Sequence, residues 1–219
     1  MIDFKQFQIL CEMAAPTPEI QNMVFYHGTP SKEYADEIVK HGIKVSERKD
    51  KKSLTPVFGA NYITPHLHYA QIYAIGGAMA GSDASRDIPK YGEHGYIFKI
   101  SGKSLKDIQP DEDSIGEMIG NGNGLSWLHD MARRHISPST LAKAKDGEYA
   151  KYAVIGKSLV KKMTDSQKID LITNHHAHVA NFSVLHPEEM YSIHRKDVKL
   201  LKRDGSNFFD FAQKHTLTK

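Results

Sequence analysis

The alternation of apolar and polar positions divides the chain into strand-like ends and a helical middle. Met23-Val24-Phe25-Tyr26 is a short apolar, aromatic run closed by His27-Gly28-Thr29-Pro30, the pattern of a buried strand entering a tight turn. A helix is expected next: Thr29 or Ser31 can cap it, Tyr34, Ala35 and Ile38 recur at helical spacing, and Gly42 follows the last turn. Ile43 resumes extended chain. Phe58-Gly59-Ala60-Asn61-Tyr62-Ile63 predicts another strand, with Thr64-Pro65 as cap and first helical position before Leu67, Ala70, Ile72, Tyr73 and Ala74. Gly95-Tyr96-Ile97-Phe98-Lys99-Ile100 alternates with the period of a half-buried strand.

The period changes between about residues 111 and 174, where 125–131, 139–145 and 148–163 fit helices better than strands. Strand-like composition returns at Phe182-Ser183-Val184-Leu185 and at Met190-Tyr191-Ser192-Ile193, with His186-Pro187 turning the chain between them. At the N-terminus Asp3 can cap a short helix whose Phe4, Phe7, Leu10 and Cys11 share a face, and Pro16 and Pro18 end it. The expected fold is α+β: a mixed or antiparallel sheet with flanking helices and a helical insertion over about 111–178. Residues 1–22 read as an N-terminal helix and hinge, and 23–219 as the main domain.

Composition narrows the class without naming a partner. Of the 219 residues, 40% are hydrophobic and 25% charged, which excludes disordered and low-complexity classes. A net charge of +3 is too mild for a dedicated nucleic-acid binder. Cys11 is the single cysteine, so an intrachain disulfide and a multi-cysteine zinc site are excluded, in keeping with a reducing compartment. The longest uncharged, apolar-leaning run, 69–82, is broken by Gly76, Gly77 and Gly81 and falls short of the roughly 18 residues that span a bilayer. The expectation is a cytoplasmic protein without a membrane partner.

Candidate chemistry sits in three separated pieces. They are His27-Gly28-Thr29 between strand and helix, the segment ending in Tyr62 with Tyr73 eleven residues later on a helix, and a late strand from Asn181. In this order and spacing the pieces resemble the ADP-ribosyltransferase superfamily, in its poly(ADP-ribose) polymerase and diphtheria-toxin-like branch. In that branch a His-Gly-Ser/Thr follows the first core strand, a Phe-Gly-x-Gly-x-Tyr segment carries the second site residue, and a further tyrosine follows on the next helix. The resemblance covers about 24–100, with 95–100 as the supporting strand, and a weaker stretch over 181–193.

The resemblance implies an ART fold and NAD as co-substrate. His27 would hold a ribose hydroxyl, the backbone of Gly28 would bond the nicotinamide carboxamide beside Thr29, and Tyr62 and Tyr73 would sandwich the ring. A glutamate commonly opens a late strand in the family, where it supports the oxocarbenium-like carbon; Asn181 stands at that position, making His27, Tyr62 and Asn181 the catalytic candidates. Glu188, Glu189 and Glu148 are the carboxylates that can substitute. Ala70, three residues before Tyr73, stands where many relatives carry a serine that bonds the carboxamide.

The implied activity is mono-ADP-ribosyl transfer from NAD to a macromolecular acceptor, protein or nucleic acid, with release of nicotinamide. An inactive ART-like binding module and an RNA 2′-phosphotransferase-like enzyme are the alternatives. The opening residues also resemble the start of some tailed-phage proteins. Among the 13 histidines, His66 with His68 and His175, His176 with His178 form clusters, but the adjacent His175 and His176 point apart, so a helix end is expected there and no metal site. Arg195, Lys196, Lys199, Lys202 and Arg203 read as an exposed strand and tail.

Overall fold

The computed structural model describes residues 16–44, 60–75, 88–122, 125–145, 149–202 and 204–217. The expected helix after Asp3, Glu148 and Arg203 lie outside the described residues. In chain order the elements are α1 (Pro18–Gln21), β1 (Val24–Thr29), α2 (Lys32–His41), β2 (Asn61–Ile63), α3 (Leu67–Ala74), α4 (Ile88–Tyr91), β3 (His94–Ser101), β4 (Ile108–Pro110), α5 (Glu112–Gly120), α6 (Ser126–His135), α7 (Pro138–Lys145), α8 (Tyr149–Val160), α9 (Asp165–Thr173), β5 (Val179–Asn181), β6 (Glu189–His194), α10 (Phe208–Phe211) and β7 (Gln213–His215). The architecture is α+β, and the chain forms two compact units. One, the sheet unit, comprises 21–46, 63–105 and 183–219; the other, the helical unit, comprises 1–20, 47–62 and 106–182.

The sheet unit is built on four antiparallel strands in the order β1-β3-β6-β7. Side chains alternate across the sheet. Phe25, His27 and Thr29 stand opposite Ile100, Phe98 and Tyr96 on one face, while Tyr26 and Gly28 stand opposite Lys99 and Ile97 on the other. α2 is capped by Ser31, whose Oγ accepts the Tyr34 N–H at 3.2 Å, and ends where Gly42 takes a positive φ of 75°. α3 lies on the Gly28 face. Its Ala70 and Ala74 are fully buried beside Ile97 and Ile193, because small residues on the helix meet glycines on the strands.

The helical unit packs α5–α9 around Ile115, Leu128, Ile155, Leu159 and Leu171. A Cβ on Gly116 would lie 2.2 Å from the Tyr152 carbonyl oxygen, and one on Gly156 would lie 1.7 Å from that of Glu112. This glycine pair therefore lets α5 and α8 approach backbone to backbone. Asp111 caps α5 by accepting the Asp113 N–H at 3.1 Å, and Thr164 with Gln167 forms a capping box on α9. A three-stranded sheet, β2-β5-β4, completes the unit.

Three expectations are corrected. The strand expected from Asn181 onward runs instead over Val179–Asn181, so Asn181 ends a strand and does not open one. After it, Phe182 N–H turns to the Asp107 carbonyl, Leu185 forms an isolated bridge with Ile43, and Pro187 lacks an N–H for any ladder. Thr64 does not begin a helix: it exchanges backbone hydrogen bonds with Tyr26, and α3 starts three residues later. Arg195 is not on an exposed strand, since its side chain is fully buried.

Candidate functional site

The outer edge of β1 carries the most specific feature. Tyr26 N–H donates to the Thr64 carbonyl at 2.7 Å and Thr64 N–H returns to the Tyr26 carbonyl at 3.0 Å, so Tyr26 points its peptide groups away from β3. Backbone direction alternates along a strand, and Gly28, two residues on, therefore turns its N–H and C=O to the same outer edge. The register agrees: Lys99, opposite Tyr26, spends its carbonyl on the Glu188 N–H at 2.9 Å, on the side away from β1. Among the described residues nothing bonds the Gly28 N–H or C=O. One donor and one acceptor are thus presented together, the complement of a primary carboxamide.

The surroundings divide by face. Tyr73, on α3, is 60% exposed, whereas Ala70 is fully buried and brings no hydroxyl. His27 is half-buried on the face opposite to α3, and Thr29 is buried. A ligand seated at the β1 edge reaches both faces, because the edge is where they meet.

Glu189 opens β6 on the Gly28 face, in register with Lys99 and, one strand further, Tyr26. That places it two strands, about 10 Å, from β1. Its carboxylate accepts hydrogen bonds from Lys214 Nζ at 2.6 Å, Lys99 Nζ at 3.2 Å and the Tyr191 hydroxyl. Lys214 above all, then Tyr191, hold its pKa down at about 2 despite partial burial. Burial, followed by the Glu189 hydrogen bond, pushes Tyr191 up to about 12. Tyr26 is raised as well, by burial and by the Glu189 charge.

Tyr62 and Asn181 belong to the helical unit. The Tyr62 hydroxyl donates to Glu112 Oε1 at 2.7 Å, and burial followed by the charges of Glu112 and Asp111 raises its pKa. Asp111 is raised well above its ordinary value, first by burial and then by Glu112 and Asp113; its Oδ2 lies 3.9 Å from His178 Nδ1. Ala180 pairs with Gln109 and packs with Ala60, Phe182 and Tyr62, whereas Asn181 pairs with Ile108. Tyr62 and Asn181 consequently occupy opposite faces of the sheet, and Asn181 is fully buried.

The structure therefore gathers Gly28, Thr29 and the helix bearing Tyr73 in one unit, with His27 across the same strand. Two residues of these arrangements, Glu112 and Arg195, went unread in the sequence, and Glu189 was read only as a substitute. Glu112 is hidden in the acidic run Asp111-Glu112-Asp113, which reads as a helix start. Arg195 is hidden in a basic run. Glu189 ranked behind Asn181, although it lies where β6 begins. Among the described residues no three His, Cys, Asp or Glu side chains converge as metal ligands. No family model, curated protein or solved structure matches the chain.

Proposed function

We propose that the chain is an NAD-dependent mono-ADP-ribosyltransferase whose nicotinamide site lies at the β1 edge of the sheet unit. The observation that carries this reading is the Gly28 peptide, whose edge-facing N–H and C=O match the two polar atoms of the nicotinamide carboxamide. Tyr73 stacks on the ring and His27 takes a ribose hydroxyl from the other face. Departure of nicotinamide breaks the ribose C1′–N bond, the electron pair leaving with the ring; the cationic pyridinium becomes neutral and positive charge develops on C1′. A nucleophile of the acceptor then closes the new bond to C1′ and gives up its proton to solvent.

The carboxylate that supports this charge is Glu189. It opens a late strand of the same sheet, shares a face with Gly28 and is ionised at neutral pH. Tyr62 and Asn181 have no part in this version of the site. A second reading, NAD binding without turnover, draws on the same residue: two ammonium groups and a tyrosine hydroxyl already occupy Glu189. The test incubates the protein with NAD labelled in the adenine and follows nicotinamide release and label on lysate macromolecules, alongside calorimetry with NAD. Release with transfer is expected. Saturable binding without release leaves the binding module, and absence of both overturns the NAD reading.

A further inference from the structure

The side chain of Arg195 is fully buried at the end of β6, and its guanidinium donates to four backbone carbonyls. Nε reaches the Gly92 oxygen at 2.8 Å, Nη1 reaches Ala74 at 3.3 Å, and Nη2 is shared between His94 at 3.2 Å and Pro30. The Tyr91 ring lies alongside, its centroid 5.5 Å from Cζ.

Two of these acceptors matter for the site. Ala74 is the last residue of α3 and follows Tyr73; its carbonyl is one of those a helix leaves unbonded, at the end where a cation is favoured. Pro30 is the first residue after Thr29, in the turn that leaves β1. A single planar, always-charged fork thus bonds the residue after Tyr73 and the residue after Thr29. The approach depends on Gly95, where a Cβ would lie 2.2 Å from the Ala74 oxygen.

We propose that Arg195 is the positioning residue of the site: by bonding Pro30 and Ala74 at once it sets the spacing between the His27-Gly28-Thr29 edge and the helix that carries Tyr73. Its consequence for ligand binding rests on the NAD reading above; the clamp itself does not. Arg195 touches no reacting atom, and it acts on affinity by fixing where the carboxamide partners and the stacking ring stand. An ammonium is a point donor that cannot span both carbonyls in the plane of the fork, so lysine does not replace it.

The test uses Arg195→Ala and Arg195→Lys in the full-length protein, read first by amide hydrogen exchange without ligand and then by NAD titration. Exchange should accelerate in both variants at two separate segments, 29–31 and 71–75, while the helical unit stays unchanged. NAD affinity should fall about tenfold or more, because binding must then restore the spacing that Arg195 otherwise holds. Free guanidinium, far below denaturing concentrations, should restore both readouts in Arg195→Ala. The proposal is overturned if either folded variant keeps wild-type exchange at both segments, or if affinity stays at the wild-type value while exchange rises. If Arg195→Ala does not fold, Arg195→Lys decides by the same two readouts. If the wild-type protein takes no NAD, the exchange result still decides the clamp and only the NAD reading falls.

Discussion

The Ala70 carbonyl oxygen occupies the space that a side chain at Gly28 would need: a Cβ there would lie 2.0 Å away, with the Ala74 nitrogen at 2.9 Å. Both obstacles are helix backbone, which cannot rotate aside. Gly28→Ala must push α3 off the sheet, at a cost of about 3 kcal/mol, the upper range for overpacking a core. A urea denaturation series is the measurement, and a shift of the midpoint within experimental error would show that the helix yields easily. Gly28 is therefore required for packing before any ligand is considered, and its edge-facing peptide groups are the separate feature that points to binding.

Tyr62 and Glu112 make a testable pair within the helical unit. The phenol donates at 2.7 Å to a carboxyl group that is completely buried, and a buried hydrogen bond that loses one partner leaves the other unsatisfied. Tyr62→Phe keeps the ring and removes the donor, so it should destabilise the protein by about 2 kcal/mol. In Glu112→Ala the acceptor is already gone, and the same Tyr62→Phe change should cost less. Equal costs in the two backgrounds would show that the pair carries no coupling energy.

Much of the fold was legible because local signals and tertiary needs agree. The apolar run before His27 became β1, the alternation around Tyr96 became β3, and Ser31 with Gly42 bounds α2 as capping chemistry requires. The failures share a cause. Phe182-Ser183-Val184-Leu185 has strand composition, but composition does not choose a partner, and among the described residues the pairing there is the isolated bridge of Leu185 with Ile43. Arg195 sits in a basic run whose ordinary fate is solvent, and only the convergence of four carbonyls from distant segments explains its burial. At the candidate site, the order of His27, Gly28 and Tyr73 was readable along the chain. That Asn181 faces away from Tyr62 depends on strand parity, which shifts with a single residue.

The clamp on Glu189 predicts a specific acid response. Its pKa is depressed from the ordinary 4.5 to about 2, so the folded protein keeps a charge that the unfolded chain neutralises first. The contribution to stability is complete above about 4.5 and disappears as pH falls through about 2. Lys214→Met removes the largest cause of the depression. The stability gap between wild type and variant should be widest near neutrality and narrow steadily on acidification, with the Glu189 carboxyl ¹³C resonance titrating at higher pH in the variant. An unchanged titration midpoint would show that Lys214 does not set the charge of Glu189.

Glu189 and Asn181 can be separated by paired substitutions, because their environments predict opposite outcomes. Asn181 is fully buried and β-paired with Ile108, so Asn181→Glu forces a longer, ionisable group into a packed strand. Burial of an added carboxyl should cost about 3 kcal/mol or more and gain no NAD chemistry. Glu189 is partly exposed at the start of β6, and glutamine there keeps the size while removing the charge. Glu189→Gln should therefore stay folded at neutral pH and lose NAD turnover by about a hundredfold or more, the loss seen when a group that stabilises transition-state charge is removed. NAD affinity should change far less than turnover, since the Gly28 edge and Tyr73 remain intact. Nicotinamide release and circular dichroism of both variants make the comparison. A folded Asn181→Glu protein with raised turnover, beside an active Glu189→Gln, would return the carboxylate role to position 181.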